Sequence, residues 1–364
     1  MRGSAVNILI VKPSSLGDVI HAFPAVRLLK ARFPEATLSW VVNDTYADLV
    51  GLCPDVAHAL AFRRHRWAQP RRWSEVIGFV RGLRAREFTV AVDLQGLLRS
   101  GLIARFSGAP RRVGFAAARE GAARCYTERV LTPANVRHAV DRNVFLVRSA
   151  FGIADATVAW SLRSAPDAQA DAAALLGRHR LEGHRPLIGV APAARWPSKT
   201  WPPEFFADVI GRVSAGLDGA AFWLCGSESE RAVGEAVRAA GGDARPVSLM
   251  GESNLLTMVE LLRRTDVLLT NDSGPMHVAA AVGTPTVALF GPTDPALTGP
   301  YGSGHRVFQG HCPHGPCFER TCPAATPGCQ RSVSAAAVAA AVVEAGRRGK
   351  APDRPSGPPA TIPG

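Results

Sequence analysis

Short apolar runs alternate with longer amphipathic stretches along most of the chain. Runs of aliphatic and β-branched residues that end in Gly, Pro, Ser or Asp predict buried strands at 7–11, 37–42, 90–93, 187–191, 220–225, 267–270 and 286–290. Apolar residues at helical spacing predict helices near 18–32, 97–106, 203–215, 230–240, 255–264 and 275–282. Strands that alternate with helices are typical of parallel sheets built from right-handed βαβ crossovers. The predicted fold class is therefore α/β, with doubly wound, Rossmann-like domains.

The strand and helix units fall into two groups. They stop near residue 151 and resume at 187, and the stretch between them is polar and rich in Ala and Asp. We therefore expect an N-terminal domain over residues 1–165 and a C-terminal domain over residues 166–348. Residues 349–364 hold five prolines and three glycines, which predicts a disordered tail. Doubly wound domains bind ligands outside the carboxyl ends of their strands, so the chemistry is expected in the loops that follow strands.

The net charge of +12 is distributed unevenly. Residues 1–165 hold 24 Lys and Arg against 12 Asp and Glu, whereas residues 166–364 hold 18 of each sign. The imbalance indicates an acidic partner for the first domain, such as a membrane surface, an anionic substrate or a nucleic acid. Only four of the 42 basic residues are lysine, so a compositional bias toward Arg is a plainer explanation of the charge. No helix-turn-helix or RNA-binding motif accompanies the basic residues, which argues against a nucleic-acid-binding protein.

Targeting signals and cysteine usage indicate a cytoplasmic protein. The first 15 residues lack the small-residue cleavage site of a signal peptide. The most membrane-like stretch, residues 332–343, is free of charge for 12 residues, whereas a span needs about 20. Seven cysteines, an odd number, favour a reducing compartment. Four crowd into 18 residues without the C-x2-C pair of most zinc sites, so a thiol-rich loop is preferred over a metal site. They are Cys312, Cys317, Cys322 and Cys329.

The loop after the first predicted strand, from Lys12 to Asp18, brings a carboxylate to the start of a helix. It has neither the glycine fingerprint of dinucleotide-binding domains nor the lysine of a P-loop. Gly17 allows a tight turn. Asp18 then either caps the helix or stands ionised in a ligand crevice, with its pKa lowered by the helix dipole. Spacing alone favours the cap.

Three loops of the second domain suit a nucleotide diphosphate. Residues 271–277 predict a helix capped by Ser273 or Gly274, whose free N–H groups attract an anion. Lys199 is a rare lysine in a loop that follows a strand, where a compact ammonium suits a phosphate. Glu228 also follows a strand and suits ribose hydroxyls. An ordinary capped helix, a surface lysine and a helix-dipole interaction are the plainer alternatives.

The most basic segment of the chain is residues 63–72, which hold five arginines. A solvated loop is the usual structure of such a run. The alternative is a site for a substrate rich in phosphate or carboxylate, because guanidinium groups bind these anions strongly.

Together these motifs resemble the ADP-heptose:lipopolysaccharide heptosyltransferases, glycosyltransferase family 9. The matching segments are ILIVKPSSLGD at 8–18, VDLQGLLRS at 92–100, Lys199 to Pro202 with Phe205, and NDSGPMHVAAAVGTPTVALFGPTDP at 271–295. The likeness covers nearly all of residues 6–345. The first-domain motifs are most similar to heptosyltransferase I, whereas the Cys-Phe element at Cys317 is more similar to heptosyltransferase II.

The resemblance implies a GT-B fold, in which two facing Rossmann-like domains enclose an interdomain cleft. It implies that Asp18 is the general base that deprotonates the acceptor hydroxyl. The implied donor-binding residues are Lys199, Thr200, Glu228, Asp272, Ser273, Gly274 and His277. The implied acceptor-binding residues are Ser14, Ser15, Arg63, Arg64, Arg66, Arg119, His138 and Arg142. Family members often carry small hydroxyl residues shortly before the lysine, where this chain has Ala194 and Arg195.

The implied reaction is inverting transfer of L-glycero-D-manno-heptose from ADP-heptose to the Kdo of Kdo2-lipid A, in the inner core of lipopolysaccharide. ADP-heptose is a co-substrate, and no cofactor or metal is expected. The expected partners are this donor, the Kdo2-lipid A or heptosylated inner-core acceptor and an anionic inner-membrane surface, without nucleic acid. The enzyme is therefore expected in the cytoplasm, associated peripherally with the inner membrane. Heptosyltransferase II or another core-sugar transferase is the alternative within the family, and a nucleotide-sugar epimerase is one outside it.

Overall fold

The computed structural model describes residues 6–67, 69–154, 158–242, 244–324 and 328–349, without the side chains of residues 64, 65 and 70. The chain divides between Arg163 and Ser164 into two compact units, called here the N-terminal unit and the C-terminal unit. The boundary predicted after residue 165 lies two residues further along. Of the predicted tail, all but Gly349 lies outside the described residues.

The N-terminal unit is built on a parallel sheet in the order β3-β2-β1-β4-β5-β6. Its strands are β1 (Asn7–Val11), β2 (Thr37–Asn43), β3 (His58–Phe62), β4 (Val90–Asp93), β5 (Arg111–Phe115) and β6 (Glu128–Val130). Its helices are α1 (Leu16–Ile20), α2 (Phe23–Arg32), α3 (Ala47–Gly51), α4 (Arg64–Trp67), α5 (Trp73–Arg84), α6 (Leu98–Phe106) and α7 (Ala139–Phe151). Short 3-10 helices lie at Asp44–Tyr46, Pro70–Arg72 and Ala122–Cys125.

The C-terminal unit is built on a second parallel sheet, in the order β12-β11-β10-β7-β8-β9. Its strands are β7 (Leu187–Ala191), β8 (Ala221–Leu224), β9 (Val247–Ser248), β10 (Val267–Asn271), β11 (Thr286–Phe290) and β12 (Arg306–Gln309). Its helices are α8 (Pro166–Arg178), α9 (Pro203–Gly216), α10 (Arg231–Ala240), α11 (Leu255–Arg264), α12 (Gly274–Ala281), α13 (Pro295–Thr298), α14 (Gly328–Arg331) and α15 (Ala335–Arg348). Short 3-10 helices lie at Pro197–Lys199 and Glu228–Glu230.

The predicted α/β class is confirmed in both units. The central strands are buried on both faces, which is why they read as continuous apolar runs rather than alternating patterns. In β1, for example, Ile8, Leu9, Ile10 and Val11 are fully buried. Helices cover the sheets through apolar stripes, as when Phe206, Ile210 and Val213 of α9 pack into the core of the C-terminal unit.

The helix predicted over 18–32 is two helices. α1 ends at Ile20, and α2 begins at Phe23 with Pro24 in its first turn. Proline has no N–H to donate, and its ring clashes with the carbonyl four residues earlier, so a helix cannot run through it without a break. Pro24 is well tolerated at the start of the second helix, where that N–H has no intrahelical partner.

Five strands were not predicted, namely β3, β5, β6, β9 and β12. Arginine obscures two of them, because β5 begins with Arg111 and Arg112 and β6 reads Glu-Arg-Val. The structure accommodates these charges by pairing, since Arg111 Nη2 lies 2.8 Å from Glu128 Oε2 on the next strand. β9 has only two residues, too few for a hydrophobic pattern.

The two sheets share one topology. Counted within each unit, the strand order is 3-2-1-4-5-6. All the strands are parallel, but the order in which successive strands are added to the sheet reverses between the first and fourth strands. Ligands bind at this switch point in doubly wound folds. The loops of interest are therefore those after β1 and β4 in the N-terminal unit and those after β7 and β10 in the C-terminal unit.

The charge-free stretch at 332–343 lies mostly in α15, which packs against α9 in the C-terminal unit. Its buried residues include Val338 and Val342, which belong to the core of that unit. Among the described residues, no helix combines the length and apolar character that a membrane crossing requires.

Candidate active site

The carboxylate of Asp18 lies in the first turn of α1, next to the end of β1. Ser15 is the N-cap residue and Asp18 the third helical residue. The backbone N–H and the hydroxyl of Ser15 both donate to Asp18 Oδ2, at 2.9 and 2.8 Å. The two interpretations of Asp18 are therefore compatible: it completes a capping box, and 40% of its side chain is still exposed.

Lys12 is the cation behind Asp18. Its Nζ lies 3.3 Å from Asp18 Oδ1 and donates to the Leu94 carbonyl at 2.9 Å, with only 7% of the side chain exposed. Burial raises the pKa of Asp18, but the charge of Lys12 and the hydrogen bonds from Ser15 outweigh it, so this pKa lies below its ordinary 3.8. The carboxylate is therefore ionised at neutral pH and accessible.

The loop after β4 approaches the loop after β1 from the neighbouring strand. Asp93, fully buried at the end of β4, accepts the N–H groups of Gln95 and Gly96 at 2.8 and 3.1 Å and the Tyr126 hydroxyl at 2.7 Å. Burial raises the pKa of Asp93 in spite of these hydrogen bonds. Gln95 Oε1 accepts the N–H of Ser14 at 3.4 Å. Asp93 thus shapes a turn that contacts the predicted acceptor residue Ser14.

Two predicted acceptor residues, Arg119 and Arg142, lie at the carboxyl ends of β4 and β5. The Arg119 N–H donates to the Gly96 carbonyl at 2.9 Å, which places this exposed arginine beside the β4 loop. The Arg142 guanidinium lies over the Phe115 ring, 5.4 Å from its centroid. Both cations therefore stand at the same edge of the sheet as Asp18.

His138 joins this group through α1. It is the N-cap of α7, and its Nδ1 accepts the Val140 N–H at 3.2 Å. Its ring meets that of His21 edge to face, with centroids 5.4 Å apart, and His21 is the C-cap of the helix that holds Asp18. The structure thus brings His138 to the helix that carries the predicted base.

The predicted acceptor residues after β3 stand apart from this group. β2 separates β3 from β1 in the sheet. Arg66 Nε lies 3.4 Å from Glu75 Oε2, so its charge is paired within its own segment, while Arg63 is exposed. The side chain of Arg64 lies outside the described part of the chain. Contact of these three arginines with an acceptor stays a prediction.

Lys199 and Asp272 form an ion pair at the switch point of the C-terminal unit. Lys199 Nζ lies 2.6 Å from Asp272 Oδ2, and the Thr293 hydroxyl donates to the same oxygen at 2.7 Å. The carboxylate side chain is 4% exposed and the lysine side chain 17%. The Asp272 carboxylate is therefore buried and holds the Lys199 ammonium in place.

Three further contacts fix the loop that carries Lys199. Asn271 donates to the Pro192 carbonyl at 2.7 Å and accepts the Trp201 N–H at 3.1 Å, which ties the loops after β7 and β10 together. The Lys199 ammonium also lies 4.5 Å from the centroid of the Trp196 ring, a distance typical of a cation–π contact.

The other predicted donor residues of this edge surround the start of α12. Ser273 is the N-cap and Gly274 the first helical residue, with the Ser273 hydroxyl 3.2 Å from that of Thr270. His277 is buried one turn into the helix, and Thr200 ends the 3-10 turn that contains Lys199. The start of α12 thus lies next to the Lys199–Asp272 pair, and binding of an anion there stays a prediction.

Glu228 begins the 3-10 helix that follows β8 and forms a bidentate ion pair with Arg231. The side-chain hydrogen bonds from Arg231 lower the pKa of Glu228. Gly251, at φ +78°, passes so close that a Cβ there would collide with the Glu228 carboxylate. Hydrogen bonding of Glu228 to a ribose stays a prediction.

The clustered cysteines are free thiols. Cys317 is exposed, Cys312 and Cys322 are partly exposed, and Cys329 is buried. Burial raises the pKa of Cys329. Within the ranges that the structure describes, no three His, Cys, Asp or Glu side chains are grouped so as to hold a metal ion.

Sequence reasoning missed Lys12, Asp93, Trp196 and Thr293. A signal for Lys12 was present, because Lys12 and Lys199 are two of only four lysines and each follows the first strand of a domain. Asp93 bonds locally to Gln95 and Gly96, but its contact with Tyr126 and that of Thr293 with Asp272 join residues 33 and 21 positions apart, which the sequence does not reveal.

The chain is similar to known heptosyltransferases in sequence and in fold. The family model described as glycosyltransferase family 9 (heptosyltransferase) matches residues 76–326. Lipopolysaccharide heptosyltransferase 1 of Pseudomonas aeruginosa is 29% identical over 87% of this chain and 87% of its own length. The structure of E. coli ADP-heptose LPS heptosyltransferase II is similar at 25% identity and TM-score 0.75, covering 94% of this chain and 99% of that one. An E. coli heptosyltransferase solved with ADP-2-deoxy-2-fluoro heptose has a similar fold, at TM-score 0.72 and 23% identity over 93% of this chain and 99% of that one.

Two Rossmann-like units with charged switch-point loops, and these likenesses, define the protein as a glycosyltransferase. The family match spans more than half of the sequence. The chain belongs to glycosyltransferase family 9, the heptosyltransferases.

Proposed function

We propose that the protein transfers L-glycero-D-manno-heptose from ADP-heptose to the inner core of lipopolysaccharide, with Asp18 as general base. The observation that carries this proposal is the Lys12–Asp18 pair, in which the lysine is buried and the ionised carboxylate is accessible. The relatives that act on lipopolysaccharide, and the related fold solved with an ADP-heptose analogue, support the choice of substrates.

In the proposed reaction, an acceptor hydroxyl attacks the anomeric carbon of heptose while the bond from that carbon to the diphosphate breaks. Asp18 takes the hydroxyl proton, and ADP leaves with the electron pair. The transition state gains positive charge on the sugar and negative charge on the diphosphate. Lys199 and the N–H groups at the start of α12 stabilise the departing ADP, since preorganised donors act most strongly where charge develops.

For the acceptor we infer the Kdo of Kdo2-lipid A, as in heptosyltransferase I. The support is the pair of arginines Arg119 and Arg142, with the ring of His138 close to α1, at the edge of the sheet that carries Asp18, since guanidinium groups suit the carboxylate of Kdo. Heptosyltransferase II, which extends an inner core already carrying heptose, is the second candidate, because the chain resembles relatives of both types. Either acceptor is a lipid, so the enzyme is proposed to work at the inner face of the bacterial inner membrane.

The test is incubation of the purified protein with ADP-heptose and either Kdo2-lipid A or heptosylated Kdo2-lipid A, followed by mass spectrometry. We expect Kdo2-lipid A to gain one heptose. A gain by the heptosylated acceptor alone would assign the second type instead. No gain by either acceptor, with a protein that binds ADP, would contradict the proposed reaction.

A further inference from the structure

Helices α5 and α6 lie side by side on one face of the N-terminal sheet. Leu83 of α5 and Ile103 and Ala104 of α6 enter the same buried cluster, and Arg84 Nε of α5 donates to the Phe106 carbonyl of α6 at 3.2 Å. The inward faces of both helices are therefore used by the core. Their outward faces form a surface that the reaction proposed above does not use.

The outward face of α6 is apolar along its centre. Leu98, Leu102 and Phe106 follow one another at intervals of four residues and are 42%, 37% and 43% exposed. Because each helical residue turns the chain by about 100°, these three form one stripe. Arg105 and Arg99 flank it on either side, and both are exposed. An ordinary surface helix is polar along this line.

The outward face of α5 continues the pattern. Trp73 is 68% exposed and Ile77, one turn later, is 50% exposed. Arg81 and Arg84 extend the same face toward the end of the helix, and both are exposed. Two adjacent helices thus combine exposed aromatic and aliphatic side chains with arginines.

The charge of this surface is positive. The two helices contain four arginines and a single acidic residue, Glu75. The charge of Glu75 is neutralised by two ion pairs, with Arg72 Nη1 at 2.6 Å from Glu75 Oε1 and Arg66 Nε at 3.4 Å from Glu75 Oε2. Among the described residues, Arg81, Arg99 and Arg105 form no ion pair. Of the neighbouring acidic residues, Glu120 accepts the Leu98 N–H at 3.2 Å and Glu87 follows the end of α5.

We propose that this surface docks the enzyme onto an anionic phospholipid bilayer. Exposed Trp, Phe, Leu and Ile enter the boundary between headgroups and acyl chains, while arginines at the rim bind lipid phosphates. A second copy of the chain fits poorly, because two like-charged surfaces would repel each other. The proposal does not depend on the identity of the donor or the acceptor.

The experiment is flotation of the full chain with vesicles of phosphatidylcholine, with or without about one third phosphatidylglycerol. We expect binding to the anionic vesicles and little to the neutral ones. Trp73→Gln combined with Leu102→Gln, and separately Arg99→Glu combined with Arg105→Glu, should each weaken partitioning about tenfold or more. Salt should weaken binding of the wild type and of the apolar variant.

Matched controls separate this surface from general stickiness. Leu131→Gln removes a side chain in the same unit that is 76% exposed but lies outside both helices, and Arg264→Glu reverses an exposed charge in the C-terminal unit. Both should bind like the wild type, and all variants should melt like it. Wild-type partitioning by the helix variants, or no binding by the wild type, would overturn the proposal. The proposal would also be overturned if the wild type were a dimer, the substitutions in α5 and α6 made it monomeric, and vesicle binding did not change. The surface would then be an interface between copies of the chain.

Discussion

Each unit has a lysine–carboxylate ion pair at its topological switch point, and the two pairs have opposite polarity. After β1, the lysine is buried and the carboxylate accessible, at 7% and 40% side-chain exposure for Lys12 and Asp18. At the switch point of the C-terminal unit, the carboxylate of Asp272 is buried at 4% and the lysine, Lys199, is the more exposed partner at 17%. In each pair the buried member neutralises and orients the presented one.

This inversion matches the two demands of glycosyl transfer. A base must accept a proton from the acceptor, so it must be ionised and reachable. A leaving diphosphate needs a cation, and a buried carboxylate holds the ammonium ready without competing at the surface. One fold, used twice, thus presents an accessible carboxylate in one unit and a cation in the other.

Replacing the presented carboxylate should have the largest effect. Asp18→Asn keeps an oxygen for the Ser15 N–H but cannot take a proton, so kcat should fall by about a thousandfold or more. Binding of ADP, measured by calorimetry, should stay within about twofold. Near-normal turnover by a correctly folded Asp18→Asn protein would remove Asp18 from the role of base.

The presented cation should matter next. Lys199→Met removes the charge and should raise the KM for ADP-heptose and lower kcat, with a combined loss of about 10- to 100-fold in kcat/KM. ADP affinity should fall as well, in contrast to Asp18→Asn. Lys30→Met, at a lysine that donates to the Ala36 carbonyl far from any switch point, is the matched control. Equal kinetics for the two lysine variants would contradict the assignment.

The two ion pairs, Lys12–Asp18 and Lys199–Asp272, differ in how much of their geometry can be predicted from the sequence. Ser15 and Asp18 have the spacing of a capping box, so four consecutive residues are enough to predict the local geometry of Asp18. Lys199 and Asp272 are 73 residues apart and meet only because β7 and β10 are neighbours in the sheet. Motif and composition place each residue after a strand, but the pairing follows from strand order.

The exposed face of α6 also could not be predicted from the sequence alone. The four-residue spacing of Leu98, Leu102 and Phe106 is visible in the sequence and is equally compatible with a buried face. Only the packing of Ile103 and Ala104 against the sheet reveals that the stripe points outward. Likewise, the pairing of Arg66 with Glu75 is a tertiary detail that a run of arginines does not predict.

Removing the buried member of the first pair should have the smallest and most diagnostic effect. Lys12 lowers the pKa of Asp18 against the effect of burial, so Lys12→Met leaves burial opposed only by the hydrogen bonds of Ser15, and this pKa rises. Because a general base accepts a proton only when it is ionised, the role proposed for Asp18 predicts that the acid limb of kcat/KM moves to higher pH. The loss should be severalfold near pH 5 and small near pH 8.

The pH dependence of stability should change in the same sense. A lowered pKa in the folded state adds stability above the ordinary pKa of 3.8, and this stability is lost as pH falls through the lowered value. In Lys12→Met that contribution shrinks, so the melting-temperature gap from the wild type should narrow toward acid pH. Measuring kcat/KM from about pH 4.5 to 8.5, and melting from about pH 2.5 to 8.5 so that the series passes below 3.8, checks both effects beside Lys30→Met. If the acid limb of Lys12→Met coincided with that of the wild type, Lys12 would not set the pKa of Asp18 and would serve only in packing. The opposite polarity of the two ion pairs would then have no role in the reaction.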